Sequence, residues 1–467
     1  MQTESAYSFT SNQVPARRIS RMLSLLLIVL GPAFCVAATA ENLASKTPYP
    51  AQESIDLPAP PPDYDYLMLQ LVARHGSRGL YSPSEDDLSL QLWKAAAQRD
   101  ALTISGRTLG PAIERIMAIH QDIGYGQISG LGRSEQRGIA QRAIARHPDF
   151  FEAAAAAGKR VSVSHSGRAR ARDSAAAFVE AWREQLPAYS ALIDDARADQ
   201  RTLYFHKAEG STDYKDYRAG DERLLAVMQA AEDHPTTRRI AEEMLLRLYQ
   251  PAFVAALDAG RLSFAAAADE EDRIDGIIDA ARSLYSLFAV TSNLSMEQAP
   301  DFSAYVLPEH AAWLAYIDDL ESFYGRGPGF ADEDVTFAAA AVLIDDMLGA
   351  IRRAAQGEHD YAADVRFTHA QVMMPLATFI GIPGADQGAT EETLFTYENN
   401  PWRSGWVSPM AANLQLDAFV HRETGEVIVR ALHNEKQTSL RKACSQAPEH
   451  PAFYALSELE RCLTASQ

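Results

Sequence analysis

The 467-residue chain predicts an α/β fold. A core sheet flanked by helices is interrupted by a mainly helical subdomain. A buried-strand signal appears at Leu67-Met68-Leu69-Gln70-Leu71-Val72-Ala73, and strand and hairpin signals return after residue 363. Between about 190 and 355 helical periodicity replaces them. The expected organisation is therefore a first part of the core over 63–189, a helical subdomain over 190–355 and a second part of the core over 356–467.

The first strand is expected over 65–73, because so long an apolar run suits a strand covered on both faces. Helices are expected over 91–97 and 109–123, the second with Ile113, Ile116, Met117 and His120 on one face. Residues 134–158 read as helix, ending at an alanine run and Gly158. A short second strand fits 161–165. After the loop 166–172, Asp173-Ser174 reads as the cap of a helix carrying Ala175, Phe178 and Trp182. The middle offers helices at 238–248, 272–288 and 334–354, with a break at Gly325-Arg326-Gly327-Pro328-Gly329. A strand at 364–368 precedes a helix at 371–381. Alternation over 413–420 and 426–432, around Glu423-Thr424-Gly425, predicts a hairpin.

Residues 1–40 read as a secretory leader: Arg17, Arg18 and Arg21, then the apolar stretch 22–37, then Ala38-Thr39-Ala40 before Glu41. The alternative is an uncleaved anchor, for which the run is short. Residues 41–62, with Pro48, Pro50, Pro58, Pro60, Pro61 and Pro62, read as an extended lead-in. The expected compartment is periplasmic or extracellular, with no stable membrane insertion after cleavage. Cleavage changes the formal charge from −19 to −21, which argues against a nucleic-acid partner. It leaves room for an anionic small substrate in a local basic pocket. Two cysteines then remain, Cys444 and Cys462. In an exported protein the even count points to a disulfide, with two reduced thiols as the alternative. No cysteine pair at finger spacing and no His-Glu-x-x-His occurs, so the sequence offers no metal motif, consistent with the expectation of no cofactor.

The apolar run ends in Arg74-His75-Gly76-Ser77-Arg78. Flanking guanidiniums disfavour a protonated imidazole and hold phosphate oxygens by paired hydrogen bonds. A neutral histidine against an oxyanion site is what phosphoryl transfer to nitrogen requires. Gly76 is expected to let the backbone pass close to a ligand. If the strands are parallel neighbours, their carboxyl ends form one crevice. Arg74, His75 and Arg78 then meet Arg168, Arg170 and Arg172, and also His369 and Gln371.

As a set these pieces resemble the histidine acid phosphatases, and most of all the multiple inositol polyphosphate phosphatases. Residues 74–78 match that family's Arg-His-Gly-x-Arg signature. Gly126-Gln127-Ile128-Ser129 with Gly132 is similar to its Gly-x-Leu-Thr-x-x-Gly segment. Residues 164–170 with Asp173 to Phe178 resemble its third-arginine motif and select Arg170, eight residues before Phe178; Arg168 and Arg172 lie one register away. His369-Ala370-Gln371 is similar to the group's His-Ala-Glu. Arg403-Ser404-Gly405 and Leu432-His433-Asn434-Glu435-Lys436 resemble late segments.

The resemblance implies a phosphoglycerate-mutase-like core and two-step phosphomonoester hydrolysis without a metal. His75 becomes phosphohistidine while Arg74, Arg78, Arg170 and His369 hold the phosphoryl oxygens. The expected partner is a phosphorylated small molecule such as phytate, with Arg403 and Lys436 as further grips or, alternatively, surface cations. The oligomeric state is left open. Gln371 departs from the pattern, because an amide has no titrating proton for a leaving alkoxide. Three readings stay open. Another acid, such as Glu85, Asp86 or Asp87, supplies the proton; or the substrates are phosphoanhydrides or aryl phosphates, whose leaving groups need none; or the protein binds phospho-ligands and turns them over poorly.

Overall fold

The alternation of side chains along the first strand explains the layering of the molecule. In β1 (Tyr64–Arg74), Leu69, Leu71 and Ala73 enter one core, while Met68 and Val72 enter another on the opposite face. The computed structural model describes residues 42–50, 57–208 and 211–463. The proposed leader 1–40, Glu41 and lead-in residues 51–56 lie outside the described residues. Residues 48–50 and 57–61 carry no regular structure.

The remaining strands are β2 (Arg160–His165), β3 (Arg197–Ala198), a small hairpin of β4 (Phe264–Ala265) and β5 (Arg273–Ile274), β6 (Tyr361–Thr368), β7 (Asn413–His421), β8 (Val427–His433), β9 (Lys436–Gln437) and β10 (Tyr454–Ala455). The main sheet runs β10-β8-β7-β1-β6-β2-β3, with β9 beside β8. β1, β6, β2 and β3 are parallel, and β7, β8 and β10 continue the sheet antiparallel. Register places Arg74 opposite Thr368, and His165 opposite Phe367. The expected crevice at the strand ends therefore forms.

The apolar run of β1 contains one polar residue, Gln70, and it is satisfied where it is buried. Its amide donates to Asp364 at 3.0 Å and its carbonyl oxygen accepts from Arg366 at 2.7 Å. One face of the sheet packs on the helices Gly130–Arg146 and Ala169–Gln185, with Phe178 and Trp182 in the core. The other face carries Ala341–Ala355 and Ala370–Phe379. A further core joins the helices Ser84–Ala97 and Gly106–Ile123 to Pro235–Leu248, Ile277–Thr291 and Pro308–Arg326.

Element boundaries differ from expectation in places with clear causes. The helix read over 134–158 breaks at His147, where Pro148 opens a second helix, Pro148–Ala156. The next helix starts at Ala169, not after Asp173-Ser174. Ser174 does not cap it. Its hydroxyl donates to the Arg170 carbonyl at 2.8 Å and accepts from Gly76 N–H at 3.1 Å.

Cys444 and Cys462 are disulfide-bonded, with Cα atoms 5.3 Å apart. The bond ties the last helix, Leu456–Leu463, to the preceding loop across a separation of 18 residues. Loop-closure entropy for such a span is worth about 3 kcal/mol. Cys444→Ser is expected to lower the unfolding free energy by about that amount, read from the shift in denaturant midpoint, with the strand-end crevice intact. An unchanged midpoint under non-reducing conditions would contradict this.

Candidate active site

The site forms where three parallel strands end together. His75 follows β1 and its N–H donates to the Thr368 carbonyl at 2.9 Å. His369 follows β6, and Ser166 follows β2 with its N–H on the Phe367 carbonyl at 3.0 Å. The two imidazole rings come within 5.4 Å, centroid to centroid.

The His75 tautomer follows from one contact. Nδ1 lies 3.0 Å from the Gly76 carbonyl oxygen, which only accepts, so Nδ1 carries the proton. The lone pair is then on Nε2. Burial first, and then the Arg74 and Arg78 guanidiniums, hold this imidazole well below its ordinary titration range. The ring is therefore neutral, with an unprotonated Nε2. Burial similarly pushes His369 down to about 2, helped by Arg170, His206, Arg74 and Arg78.

Around His75 several buried nitrogens lack a protein partner: Nε of Arg74, Arg78 and Arg170, which are donors, and Nδ1 of His369. Buried polar groups are nearly always paired, so three orphan guanidinium donors and an unpaired imidazole nitrogen around one imidazole suit an oxyanion site. His369 is held by Ser166, whose Oγ is 2.7 Å from Nε2. Arg74 is anchored through one terminal nitrogen to the Ser45 and Ser408 carbonyls, at 2.7 and 2.5 Å. Arg78 donates to the Gly79 carbonyl at 2.7 Å. Burial lowers Arg74 to about 9 and Arg78 to about 10, so both keep their charge at neutral pH.

The signature loop is clamped from behind. Glu135 accepts from the N–H and the hydroxyl of Ser77, each at 2.7 Å. Gln136 donates to the Arg74 carbonyl at 2.7 Å. Gly76 is required by the close approach of Gly132: a Cβ there would stand 2.2 Å from the Gly132 carbonyl oxygen. Gly132 belongs to the helix that Ser129 caps, its N–H donating to Ser129 Oγ at 3.2 Å. The Gly126–Gly132 segment thus braces the signature loop, with Ile128 bridged to Arg78 and Ser129 N–H on the Ser77 carbonyl at 2.9 Å.

Beside the oxyanion site opens a cleft of 610 Å³ lined by Arg78, Arg170 and Gln371. Its walls carry seven lysine and arginine residues and no carboxylate. Arg168, Lys207, Lys215, Arg218 and Arg326 make up the rest of that charge, and Tyr81, Tyr204, Tyr214 and His206 stand between them. Arg170 lies 5.5 Å over the Tyr81 ring. Of its neighbours in sequence, Arg168 lies over Tyr204, and Arg172 is exposed and pairs with Asp173 at 3.4 Å. Lys46, on the 3₁₀ turn Ala44–Lys46, lies among Asp318, Arg78, Arg74 and Glu85.

Arg403 and Lys436 are not brought to this cleft. They line a separate 950 Å³ cavity with Tyr397 and Trp406. Arg403 donates to the carbonyls of Asn400, Trp402 and Tyr397 at 2.7–3.0 Å. Of the three acids offered in place of the missing glutamate, Asp86 is fully buried between His120 and Tyr125, at 2.7 Å from each. Asp87 accepts from Ala267 N–H at 2.8 Å. Glu85 keeps a buried, unpartnered Oε2, and burial raises its pKa, yet it is not on the cleft wall. Among the described residues no three His, Cys, Asp or Glu side chains are grouped to hold a metal ion, and no helix is long and apolar enough to cross a membrane.

A neutral imidazole at the end of a parallel strand, facing guanidiniums and a second imidazole, suits a phosphatase of the histidine class. The family model of the histidine phosphatase superfamily (branch 2) matches residues 67–434, and the chain belongs to that superfamily. The multiple inositol polyphosphate phosphatase of Bifidobacterium longum, crystallised with inositol hexasulfate, is similar in structure: TM-score 0.85 at 27% identity, over 91% of this chain and 98% of the other. Its phosphate complex gives 0.85 at 28% identity over the same shares. The phytase of D. castellii shares the fold, with a TM-score of 0.62 at 14% identity, over 91% of this chain and 84% of its own. Among curated protein sequences none matches this chain.

Proposed function

We propose that the protein hydrolyses phosphomonoesters of inositol polyphosphates, such as phytate, through a phosphohistidine at His75. The carrying observation is the cleft: seven cationic side chains and no carboxylate on its walls, in a chain of formal charge −19. One phosphoryl group needs the cations around His75 alone. Cations further along the walls match a ligand with several phosphates. The Bifidobacterium enzyme, similar over nearly its whole length, binds inositol hexasulfate.

In this reading the Nε2 lone pair of His75 attacks phosphorus. Arg74, Arg78, Arg170 and His369 hold the equatorial oxygens as charge builds on them. Water then attacks the phosphohistidine and releases phosphate. The leader pattern and the Cys444–Cys462 bond support a periplasmic or secreted enzyme.

Gln371 on the cleft wall favours a second reading, a broad phosphatase or phosphoanhydride hydrolase whose leaving groups need no proton. Phosphate release from phytate, pyrophosphate and an aryl phosphate separates the two. Turnover of phytate supports the first, turnover of the other two alone supports the second, and tight phytate binding without turnover leaves only a phospho-ligand-binding role. Gln371→Glu is expected to raise kcat for an alkyl phosphate by about tenfold or more and to change aryl phosphate hydrolysis much less. Equal effects on both would mean that this position does not face the departing oxygen.

A further inference from the structure

The carboxylic acid that Gln371 lacks has a structural replacement on the adjoining turn. We infer that His206, as imidazolium, protonates the leaving alkoxide and, once neutral, accepts the proton of the water that attacks phosphohistidine. This inference rests on the phosphatase reading above.

Three observations place His206 there. It lines the same cleft as Gln371, Arg78 and Arg170. Its 3₁₀ turn, Phe205–Lys207, packs on the helix Ala370–Phe379, whose first turn carries Gln371. Its ring sits edge-on to Tyr204 at 4.5 Å, and Tyr204 in turn meets His369 at 5.4 Å. The residue is 7% exposed, and its Nδ1 is buried with no hydrogen-bond partner. A buried, unpartnered imidazole in a cleft is an uncommitted acid–base group. Glu85, whose Oε2 is also buried without a partner, lies toward Lys46 and Arg78 and does not line the cleft beside Gln371.

The surroundings explain how the proton is delivered only when needed. Burial lowers the His206 pKa to about 4, assisted by Lys207 on its own turn, Arg326 from the helix Pro308–Arg326, and Arg168 and Arg170 from the helix opposite. His369 is the remaining titratable neighbour, with Tyr204 between them. Of these cations Arg326 is paired with Glu321, at 3.6 Å, while no carboxylate lines the cleft itself. The free cleft therefore keeps His206 neutral at neutral pH. A bound polyphosphate cancels the guanidinium field and returns the pKa toward the ordinary imidazole value. The step balances: the P–O bond to the alcohol breaks as the bond from Nε2 of His75 to phosphorus forms. The His206 proton passes to the alcohol oxygen, and the attacking water restores it.

The test compares His206→Asn, Glu85→Gln and the natural protein on phytate and on an aryl phosphate, with kcat and KM measured separately across pH. Acid catalysis of this kind contributes roughly 10²–10⁴-fold. His206→Asn is expected to lower kcat for phytate by about 10²-fold or more, and for the aryl phosphate by less than about tenfold. The fall of phytate kcat with rising pH should flatten in that variant. The double variant His206→Asn, Gln371→Glu should recover phytate turnover. Equal losses on both substrates, a rise in KM alone, or a leaving-group-dependent loss in Glu85→Gln instead would overturn the assignment. Failure of the natural protein to hydrolyse even the aryl phosphate would overturn the phosphatase reading itself, and the assignment with it.

Discussion

His75→Ala is expected to abolish turnover of every phosphoester, aryl phosphates included, by at least about 10⁴-fold. The imidazole is held as the Nδ1–H tautomer by the Gly76 carbonyl and kept neutral by burial and two guanidiniums. The natural protein quenched during turnover should yield an acid-labile, base-stable phosphohistidine on the peptide containing His75, and the variant none. A variant retaining substantial aryl phosphatase activity would exclude the covalent route.

The second large effect concerns stability. Asp417 is fully buried in β7, accepting from Arg430 at 2.8 Å and from the Tyr66 hydroxyl at 3.0 Å. Burial alone would raise its pKa. The His147 contact and the Arg146 and Arg430 guanidiniums overcome burial and hold it below the ordinary carboxylate range. Asp417→Ala leaves the buried Arg430 without its counter-charge, a loss of about 3–5 kcal/mol. A carboxyl whose folded pKa is depressed contributes stability that is complete above its unfolded pKa, near about 3.9, and fades as pH falls toward the folded value. The difference between natural protein and variant should therefore be largest at neutral pH and narrow below about pH 4. Denaturant midpoints at pH 7 and pH 3 measure both. A difference under about 1 kcal/mol at pH 7 would place Asp417 outside the stabilising network.

The place of His75 at a strand end was legible in the sequence because a strand covered on both faces must be continuously apolar, so a charged pentapeptide directly after it stands out. His369 was readable for the same reason, at the end of β6. Hairpin chemistry at 423–425 gave β7 and β8 to within one or two residues. The cleft walls were not readable. Lys207, Lys215, Arg218 and Arg326 lie in helices and short turns of the middle segment, and a cation there has the same local signature whether it faces water or a site. His206 sits on a three-residue turn with no periodicity to betray its direction. The cap misassigned to Asp173-Ser174 shows the converse. Ser174 has the composition of a helix start, but its hydroxyl joins the Arg170 turn to the nucleophile loop, a long-range use that spacing does not report. Arg403, part of a segment with family likeness, is pinned by three carbonyls.

The position of β1 has a consequence for how the chain acquires its shape. Both edges of this strand are completed by partners from the far end of the polypeptide, β6 on one side and β7 on the other; Gln70 and Asp364, hydrogen-bonded across that seam, are 294 residues apart. A nascent or unfolding chain that has not yet placed residues 361–421 presents an apolar ribbon with two open edges. Such ribbons pair with copies of themselves, and closing so long a loop is slow. Recovery of the protein from denaturant should consequently fall as its concentration rises, and fragments ending before β6 should accumulate as aggregates. His75, although encoded early, comes into register only after the distant strands arrive.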